Sequence, residues 1–325
     1  MIKIGLIGCG FMGNMHANCY NNIEGVKVSA VADVRPEYAR AIAGEGVEIY
    51  SDGMDLINNA DVDVIDICLP TYLHAEYAIA AMDKVKYVFV EKPVALTVAE
   101  AEAMIEKSRA TGARVQVGQV IRFWDEYVEL RRIIGEGKLG RVVNANFRRL
   151  SPTPNWGFEN WLHNIERSGG AGQDLHVHDT DFVLSLFGRP ESFFSVKNTL
   201  GEGNSYVNTL MKYSDFAVSV EGTWDLPTTH PFEATFRVVF ERGVVENAGG
   251  KFMLYTADAA EEIKIEKKQL LGGYDGGNIS DLGGYYNELV YFTDRVKANE
   301  AISMATLPEA TESLKFVLEE IGYGA

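Results

Sequence analysis

The stretch Gly8-Cys9-Gly10-Phe11-Met12-Gly13 decides the fold, because it is a G-x-G-x-x-G motif between an apolar run and an amphipathic segment. The run before it, Ile2–Ile7, has the β-branched composition of a buried strand, and Met12–Asn21 after it has helical periodicity. In such a unit the first glycine makes a tight turn, the second lets the backbone approach a pyrophosphate, and the third allows close helix–strand packing. The stretch therefore predicts a dinucleotide-binding turn.

An acidic residue in the right place supports this interpretation. A second apolar run, Val26–Ala32, ends just before Asp33, which lies 33 − 13 = 20 residues beyond the last glycine. This is where a ribose-binding carboxylate is expected. Such a carboxylate accepts the ribose hydroxyls and repels a 2′-phosphate, so the sequence favours NAD as the cofactor. Arg35, two residues further on, keeps NADP open as the alternative.

The first third of the chain alternates short apolar runs with amphipathic segments. Further strands are predicted at Val62–Leu69, Tyr87–Val90 and Arg114–Val117, and further helices at Pro36–Ala43, Ala75–Lys84 and Val98–Thr111. The last helix has Thr97 and Glu100 in capping-box spacing and Gly112 just past its end. This alternation predicts an α/β Rossmann domain with a parallel sheet.

After about residue 120 the pattern changes to consecutive strands joined by short turns. They are predicted at Arg141–Leu150, Ser192–Leu200, Ser205–Tyr213, Ala217–Trp224, Phe232–Glu241, Lys251–Thr256 and Glu262–Lys267. Polar and apolar residues alternate in several of them, which predicts an open, mostly antiparallel sheet with one solvated face. Helical periodicity returns at Asp174–Phe187, Tyr285–Ala298 and Pro308–Ile321. We therefore expect domains at 1–120 and 121–325, the second of α+β type, and leave open whether the C-terminal helices pack on the first.

The composition narrows the function classes. The formal net charge is −16, from 30 basic and 46 acidic side chains, and this balance disfavours a nucleic-acid partner. Three cysteines without metal-ligand spacing predict neither disulfides nor a zinc site. Charged residues interrupt every apolar run, and the N-terminus lacks a signal-peptide pattern, so a cytoplasmic protein without a membrane partner is expected.

A second group of polar residues predicts a chemical site. Lys92 follows a predicted strand, and ligands of open α/β sheets gather at the carboxyl ends of strands. If Asp174–Phe187 is helical, Asp174, His178 and Asp181 share one face, whereas His176 points elsewhere. An imidazole beside carboxylates suits general acid–base catalysis. A metal pair is the alternative, but no third ligand is evident, and no metal is predicted.

Several motifs in order carry a resemblance to a known family. They are Gly8-x-Gly10-x-x-Gly13 with His16, Pro70 followed by His74, Glu91-Lys92-Pro93, and Gly169-Gly170 ahead of Asp174-x-x-x-His178. In this combination the chain resembles the Gfo/Idh/MocA oxidoreductases. The resemblance implies a Rossmann domain followed by an α+β domain whose open sheet often forms the oligomer interface, so a homodimer or homotetramer is expected.

The resemblance also implies site residues. Lys92, Asp174 and His178 would form the catalytic set, with a Lys92–Pro93 peptide bond that is frequently cis in the family. The cofactor-binding residues expected are Gly8, Gly10, Phe11, Met12, Gly13, Asp33, Arg35, Pro70, His74, Glu91 and Lys92. By similarity to the family's inositol dehydrogenases, the substrate-binding residues expected are Lys92, Arg122, Trp161, Asp174, His178 and Asp181. Ile121-Arg122 replaces the common Arg-Arg pair and Gln119 a common apolar residue, which leaves the identity of the substrate open.

The reaction expected is the reversible oxidation of a secondary alcohol on a sugar or an inositol-like cyclic polyol. Aromatic faces pack on the C–H surfaces of sugars, and the candidates for this contact are Trp156, Trp161, His163, Tyr285 and Tyr286. Ordinary packing is an equal alternative for each of them. Two other functions remain open: a glycosidase that oxidises its substrate transiently with bound NAD, and a non-catalytic sensor of sugars or dinucleotides.

Overall fold

The computed structural model describes residues 1–198, 206–266, 268–271 and 282–322. Its first sheet is parallel and six-stranded, in the order β3-β2-β1-β4-β5-β6. The strands are β1 Ile2–Ile7, β2 Val26–Ala32, β3 Glu48–Tyr50, β4 Val64–Ile67, β5 Tyr87–Glu91 and β6 Arg114–Gly118. Every residue of β4 and β5 is buried, because helices cover both faces, and this burial explains their continuous apolar runs.

The helices of the first domain follow the strands in turn. They are α1 Phe11–Asn21, α2 Pro36–Ile42, α3 Gly53–Asn59, α4 His74–Ala81 and α5 Val98–Thr111. Helix α5 begins with the predicted capping box between Thr97 and Glu100, and ends at Gly112, whose φ of 73° is left-handed. Local sequence therefore sets both ends of this helix.

The second sheet has eight strands in the order β14-β13-β12-β11-β7-β10-β9-β8. Neighbouring strands are antiparallel except for β7 and β10, which are parallel. The strands are β7 Val142–Pro152, β8 Ser192–Asn198, β9 Tyr206–Lys212, β10 Ala217–Leu226, β11 Glu233–Phe240, β12 Gly243–Ala248, β13 Lys251–Tyr255 and β14 Ala260–Glu262. The predicted fold class, a Rossmann domain plus a mostly antiparallel α+β domain, is confirmed.

The chain beyond β6 contributes further helices. They are α6 Asp125–Glu136, α7 Ile165–Ser168, α8 Val177–Phe187, α9 Gly283–Ala298 and α10 Leu307–Glu320. Shorter helical turns occur in both domains: 3₁₀ turns at Thr71–Leu73, Val120–Phe123 and Phe158–His163, and a π-helical turn at Gly172–His176. Among the described residues no helix combines the length and apolarity needed to cross a bilayer.

Some predicted elements were wrong or missing. The strand predicted at Glu262–Lys267 is wrong, since β14 ends at Glu262 and the residues to 266 form no strand; Lys267 lies outside the described residues. The predicted strand ends Leu200 and Ser205 also lie outside them. Five of the labelled elements were not predicted at all: β3, α3, α6, α7 and β12. The first is a three-residue edge strand, which is too short to show a pattern.

The C-terminal helices pack against the first domain. The ring of Phe292 in α9 meets those of Tyr87 and Phe89 in β5, with centroids 6.4 and 5.4 Å apart. Just before α10, the carbonyl of Ala305 accepts a hydrogen bond of 2.8 Å from the Val117 amide in β6. The domain limits at residue 120 stay a prediction, because the core continues from one domain into the other.

Candidate active site

A long cleft of about 350 Å³ runs along the carboxyl ends of β1, β4 and β5, and the second domain closes its other side. Its floor begins at the glycine-rich turn. A Cβ on Gly8, whose φ is 89°, would collide with the Cys68 carbonyl, and one on Gly13 would collide with the Gly8 carbonyl. A Cβ on Gly10 would approach only Arg35 Nη2, at 3.6 Å, so this position stays open. Helix α1 also has no side-chain hydrogen bond at its N-cap, and its first turn, whose partial positive charge favours an anion such as a pyrophosphate, lines the cleft.

Asp33 occupies the ribose end of the cleft, at the end of β2. Its Oδ2 accepts a hydrogen bond from the Cys9 amide at 2.8 Å, and its Oδ1 pairs with the Arg35 Nε at 3.1 Å. The Arg35 guanidinium lies flat over Tyr38, 3.7 Å from the ring centroid, and 4.7 Å from that of Phe158 in the second domain. The Cys9 amide and Arg35 therefore hold the Asp33 carboxylate at the place where ribose hydroxyls are expected.

The other predicted cofactor residues divide into two groups. Phe11, Met12, Pro70 and Glu91 line the cleft. His74 does not: it is buried behind the wall, where Nδ1 lies 2.7 Å from the Pro93 carbonyl and Nε2 2.7 Å from the Leu69 carbonyl. We therefore correct its expected role, since His74 joins the two loops that border the cleft and does not face the cofactor itself.

Lys92 and Asp174 form an ion pair at the far end of the cleft. The Lys92 ammonium donates to Asp174 Oδ1 at 3.0 Å and to the Asp174 carbonyl at 2.7 Å, and both side chains are 15% exposed. The Lys92–Pro93 peptide bond is cis. Asp174 belongs to the π-helical turn, which Gln173 attaches to the first domain through a 2.8 Å hydrogen bond to the Leu96 carbonyl. The pair therefore bridges the two domains.

His178 lies beside this pair, in the first turn of α8, and lines the cleft. Burial lowers its pKa well below the ordinary 6.5, and the positive charges of Lys92 and Arg149 lower it further. The imidazole is therefore neutral at pH 7 and can accept a proton. His176, by contrast, faces α10, where its Nε2 lies 3.1 Å from Glu320 Oε1, so the structure places His178 and not His176 in the cleft.

One buried ion pair next to His178 was not predicted. Arg149 in β7 holds Asp179 in α8 with two bonds, Nε to Oδ2 at 2.8 Å and Nη2 to Oδ1 at 3.1 Å, and also donates to the Tyr127 hydroxyl at 3.1 Å. Arg149 lines the cleft while being almost fully buried. The two partners lie 30 residues apart in no periodic pattern, so no sequence signal indicated the pair.

Arg122 and Asp181, both predicted to bind substrate, pair with each other instead. Arg122 Nε and Nη2 donate to the Asp181 carboxylate at 2.7 and 2.8 Å, and Ser313 donates to it at 2.8 Å. Both residues are buried, and neither lines the cleft. The helical face that Asp181 shares with Asp174 and His178 does not place it in the cleft, because its carboxylate binds the buried Arg122 and Ser313 of α10 instead.

Aromatic side chains cover much of the cleft wall. Of the predicted candidates, Trp156, Trp161 and Tyr285 line it. His163 does not and lies with Nε2 2.7 Å from the Pro154 carbonyl; Tyr286 does not and lies under the Lys268 ammonium. Six further aromatic residues of the wall were missed, because no sequence motif marks them: Tyr38, Tyr72, Tyr77, Trp124, Phe158 and Phe232.

Two family models match successive parts of the chain, up to residue 246. Residues 2–119 match the model described as "Oxidoreductase family, NAD-binding Rossmann fold", and residues 127–246 match the "GFO/IDH/MocA C-terminal domain". The resemblance drawn from the motifs is thereby confirmed, and so is the prediction of an NAD-binding Rossmann domain.

Curated relatives are named as inositol dehydrogenases. The chain is 35% identical over 177 residues to the inositol 2-dehydrogenase of Salmonella typhimurium, covering 51% of this chain and 53% of that protein. It is 29% identical over 240 residues to the scyllo-inositol 2-dehydrogenase (NAD(+)) of Bacillus subtilis, covering 71% and 68%. The match thus spans about half the length of the first of these relatives.

Solved structures share the fold over nearly the whole chain. A putative myo-inositol dehydrogenase from Sinorhizobium meliloti superposes with a TM-score of 0.81 at 22% identity, covering 99% of this chain and 98% of that one. A levoglucosan dehydrogenase in complex with NADH and levoglucosan superposes with a TM-score of 0.83 at 22% identity, covering 99% and 97%.

Proposed function

This chain belongs to the Gfo/Idh/MocA oxidoreductase family, and on that premise we propose that it transfers a hydride between a secondary alcohol of a sugar or cyclic polyol and NAD. One observation carries the proposal. One end of the cleft brings together Lys92 of the first domain with Asp174 and His178 of the second, although Lys92 and Asp174 lie 82 residues apart in the sequence. The other end of the cleft holds the glycine-rich turn and Asp33. A dinucleotide bound at the turn would extend along the strand ends to this set.

The three side chains divide the proton chemistry among them. Neutral His178 accepts the proton of the substrate hydroxyl, and the Lys92 ammonium stabilises the oxygen as negative charge develops on it. Asp174 holds Lys92 in place through its carboxylate and its carbonyl. NAD supplies the hydride acceptor when bound.

The substrate proposed is a neutral ring with several hydroxyls. Lys92 pairs with Asp174 and Arg149 with Asp179, so neither cation carries an uncompensated charge for an acidic substrate. Trp156, Trp161 and Tyr285 offer aromatic faces for the C–H surface of such a ring. Curated relatives with the names of inositol dehydrogenases agree with this substrate class.

The decisive experiment is a panel of inositols, hexoses, pentoses and aryl glycosides, each incubated with NAD and with NADP while reduced nicotinamide is followed by its absorbance. Net formation of NADH from a free polyol is expected. Cleavage of aryl glycosides without net NADH would replace the dehydrogenase by the glycosidase that oxidises transiently, an alternative that the dehydrogenase names of the relatives do not favour. Binding of sugar without turnover would indicate the sensor.

We further propose that the protein is a cytoplasmic homo-oligomer assembled through the open face of the second sheet. That face exposes a patch of Phe194 and Val196 in β8 and Leu210 in β9, at 70, 42 and 51% of their surfaces. Phe194 and Leu210 are directly paired across the two strands, so the patch is continuous. A second copy of the chain is the proposed occupant, because a homo-oligomer interface is the ordinary way to cover such a patch.

A further inference from the structure

A buried group of acids surrounds His16 directly behind the cleft wall. His16 in α1 lies between two carboxylates: Nδ1 is 2.8 Å from Asp66 Oδ2 in β4, and Nε2 is 3.0 Å from Glu91 Oε1 in β5. The first contact is an aligned hydrogen bond and the second an ion pair without that alignment. Glu288 in α9 completes what we call the His16 cluster: His16, Asp66, Glu91 and Glu288.

The cluster carries one net negative charge at neutral pH. Burial lowers the pKa of His16, but the Asp66 carboxylate beside it raises this pKa, and with a carboxylate at each ring nitrogen the imidazole is charged. Burial and then the charge of Glu91 raise the pKa of Glu288 well above its ordinary value, so this carboxyl is neutral. Asp66 and Glu91 therefore supply two negative charges against one positive charge.

The other titratable groups that face the cluster do not change this sum. They are the thiols of Cys19 and Cys68 and the phenols of Tyr20 and Tyr285. Burial raises the pKa of each of these groups, so all four are uncharged at neutral pH. Tyr20 donates a 2.8 Å hydrogen bond to Asp66 Oδ2, and the Cys68 thiol lies 3.3 Å from His16 Nδ1. Hydrogen bonds within the cluster thus fix where its charge lies.

The negative charge faces the part of the cleft that the nicotinamide half of a bound cofactor would occupy. Glu91 lines the cleft next to Lys92, whose amide donates to Glu91 Oε2 at 3.1 Å, and Cys68 and Tyr285 line it on either side. The glycine-rich turn and Asp33, at the ends of β1 and β2, would hold the adenosine half. The other half must therefore extend past the ends of β4 and β5, where the cluster lies.

We propose that the His16 cluster sets the redox balance of the bound cofactor, because its net negative charge favours the cationic nicotinamide ring of NAD⁺ over the neutral ring of NADH. The cluster thereby lowers the reduction potential of the bound cofactor and eases the transfer of hydride from NADH to a carbonyl substrate. This inference rests on cofactor binding by the first domain and is independent of which alcohol the protein oxidises.

The test is the ratio of two dissociation constants, that of NAD⁺ divided by that of NADH, measured by titration calorimetry on the full chain without substrate. Glu91→Gln removes the charge nearest the cleft with little change of shape and leaves the His16–Asp66 pair neutral overall. The ratio is expected to rise on the order of tenfold, the effect of a unit charge about 10 Å away in an effective dielectric of about 20.

Glu288→Gln is the matched control, since it makes the same exchange at a carboxyl that is already neutral, and its ratio should stay within about twofold of the wild type. An unchanged ratio in Glu91→Gln would overturn the proposal, even if both affinities fell together, because that result means a structural role alone. A shift in Glu288→Gln as large as that in Glu91→Gln would overturn the charge count. Because no substrate enters the measurement, failure here is distinct from failure of the proposed reaction.

Discussion

At the scale of single residues, the chemistry of the cleft depends on two opposite protonation states held side by side. The Lys92 ammonium forms an ion pair of 3.0 Å with Asp174, whereas burial and the neighbouring cations lower the pKa of His178 and keep its imidazole neutral. A donor for a developing alkoxide and an acceptor for a hydroxyl proton therefore stand next to each other at neutral pH. Each can be tested separately.

Lys92→Met removes the cation that would stabilise the substrate oxygen while keeping most of the side-chain volume. Turnover should fall by roughly 10²- to 10⁴-fold, the usual effect of losing such a group. The affinity for NAD, measured by calorimetry, should change only a few-fold, because the glycine-rich turn and Asp33 are the groups proposed to bind the far half of the cofactor. Lys84→Met, at an exposed lysine after α4, is the control, and near-normal turnover in Lys92→Met would remove Lys92 from the mechanism.

The pH profile tests His178. A proton acceptor works only in its neutral form, and the lowered pKa of His178 keeps that form down to well below the ordinary 6.5. The value of kcat/KM for alcohol oxidation should therefore show no acidic limb attributable to this group until the pH falls below 6.5. An acidic limb centred at or above 6.5, and still present in His178→Gln, would assign the proton to another group.

At the scale of elements, the first domain was largely predictable from sequence and the site only partly so. Strands β1 and β2 and helix α5 have the bounds expected from apolar runs and capping residues, because local sequence determines them. In the π-helical turn of Gly172–His176, the part from Asp174 on was predicted as ordinary helix, since the sequence does not distinguish the two. It still brings Asp174 and His178 to one cleft.

Predictions failed where a long-range partner decided the direction of a side chain. Asp181 has the spacing of a cleft residue, but its carboxylate pairs with Arg122, 59 residues away in the sequence. The ring of His74 is likewise held by two backbone carbonyls. Arg149 and Asp179 were missed for the same reason. Periodicity reports which face of a helix a residue occupies, and it carries no information about which buried charge lies opposite.

The Arg149–Asp179 pair joins β7 to the helix that carries His178, so its loss should be costly. Asp179→Asn leaves a buried arginine without its counter-ion, and the free energy of unfolding in urea should fall by about 3–5 kcal/mol. Glu241→Gln breaks an exposed pair with Arg141 between neighbouring segments of the same sheet and should cost at most about 1 kcal/mol. Equal costs for the two variants would show that Arg149 does not depend on Asp179.

At the scale of the whole molecule, the net charge of −16 and the binding of an anionic cofactor are compatible because they concern different groups. The pyrophosphate would meet backbone N–H groups at the start of α1, which carry partial positive charge whatever the surface charge is. Most of the acids are on the surface, and a charged surface restricts association to places where apolar groups interrupt it. The patch of Phe194, Val196 and Leu210 is such a place.

Phe194→Asp therefore tests assembly at this scale. The wild-type protein should elute and scatter light as a dimer or tetramer, and the variant should be monomeric at micromolar concentration, because an added carboxylate would be buried unpaired in the interface. Ile49→Asp places the same charge on an exposed apolar residue of β3, far along the chain from the second sheet, and should keep the wild-type mass. A monomeric wild type, or an unchanged mass in Phe194→Asp, would assign the patch to another partner. Since Phe194 does not line the cleft, both variants should bind NAD with wild-type affinity, which separates assembly from cofactor binding.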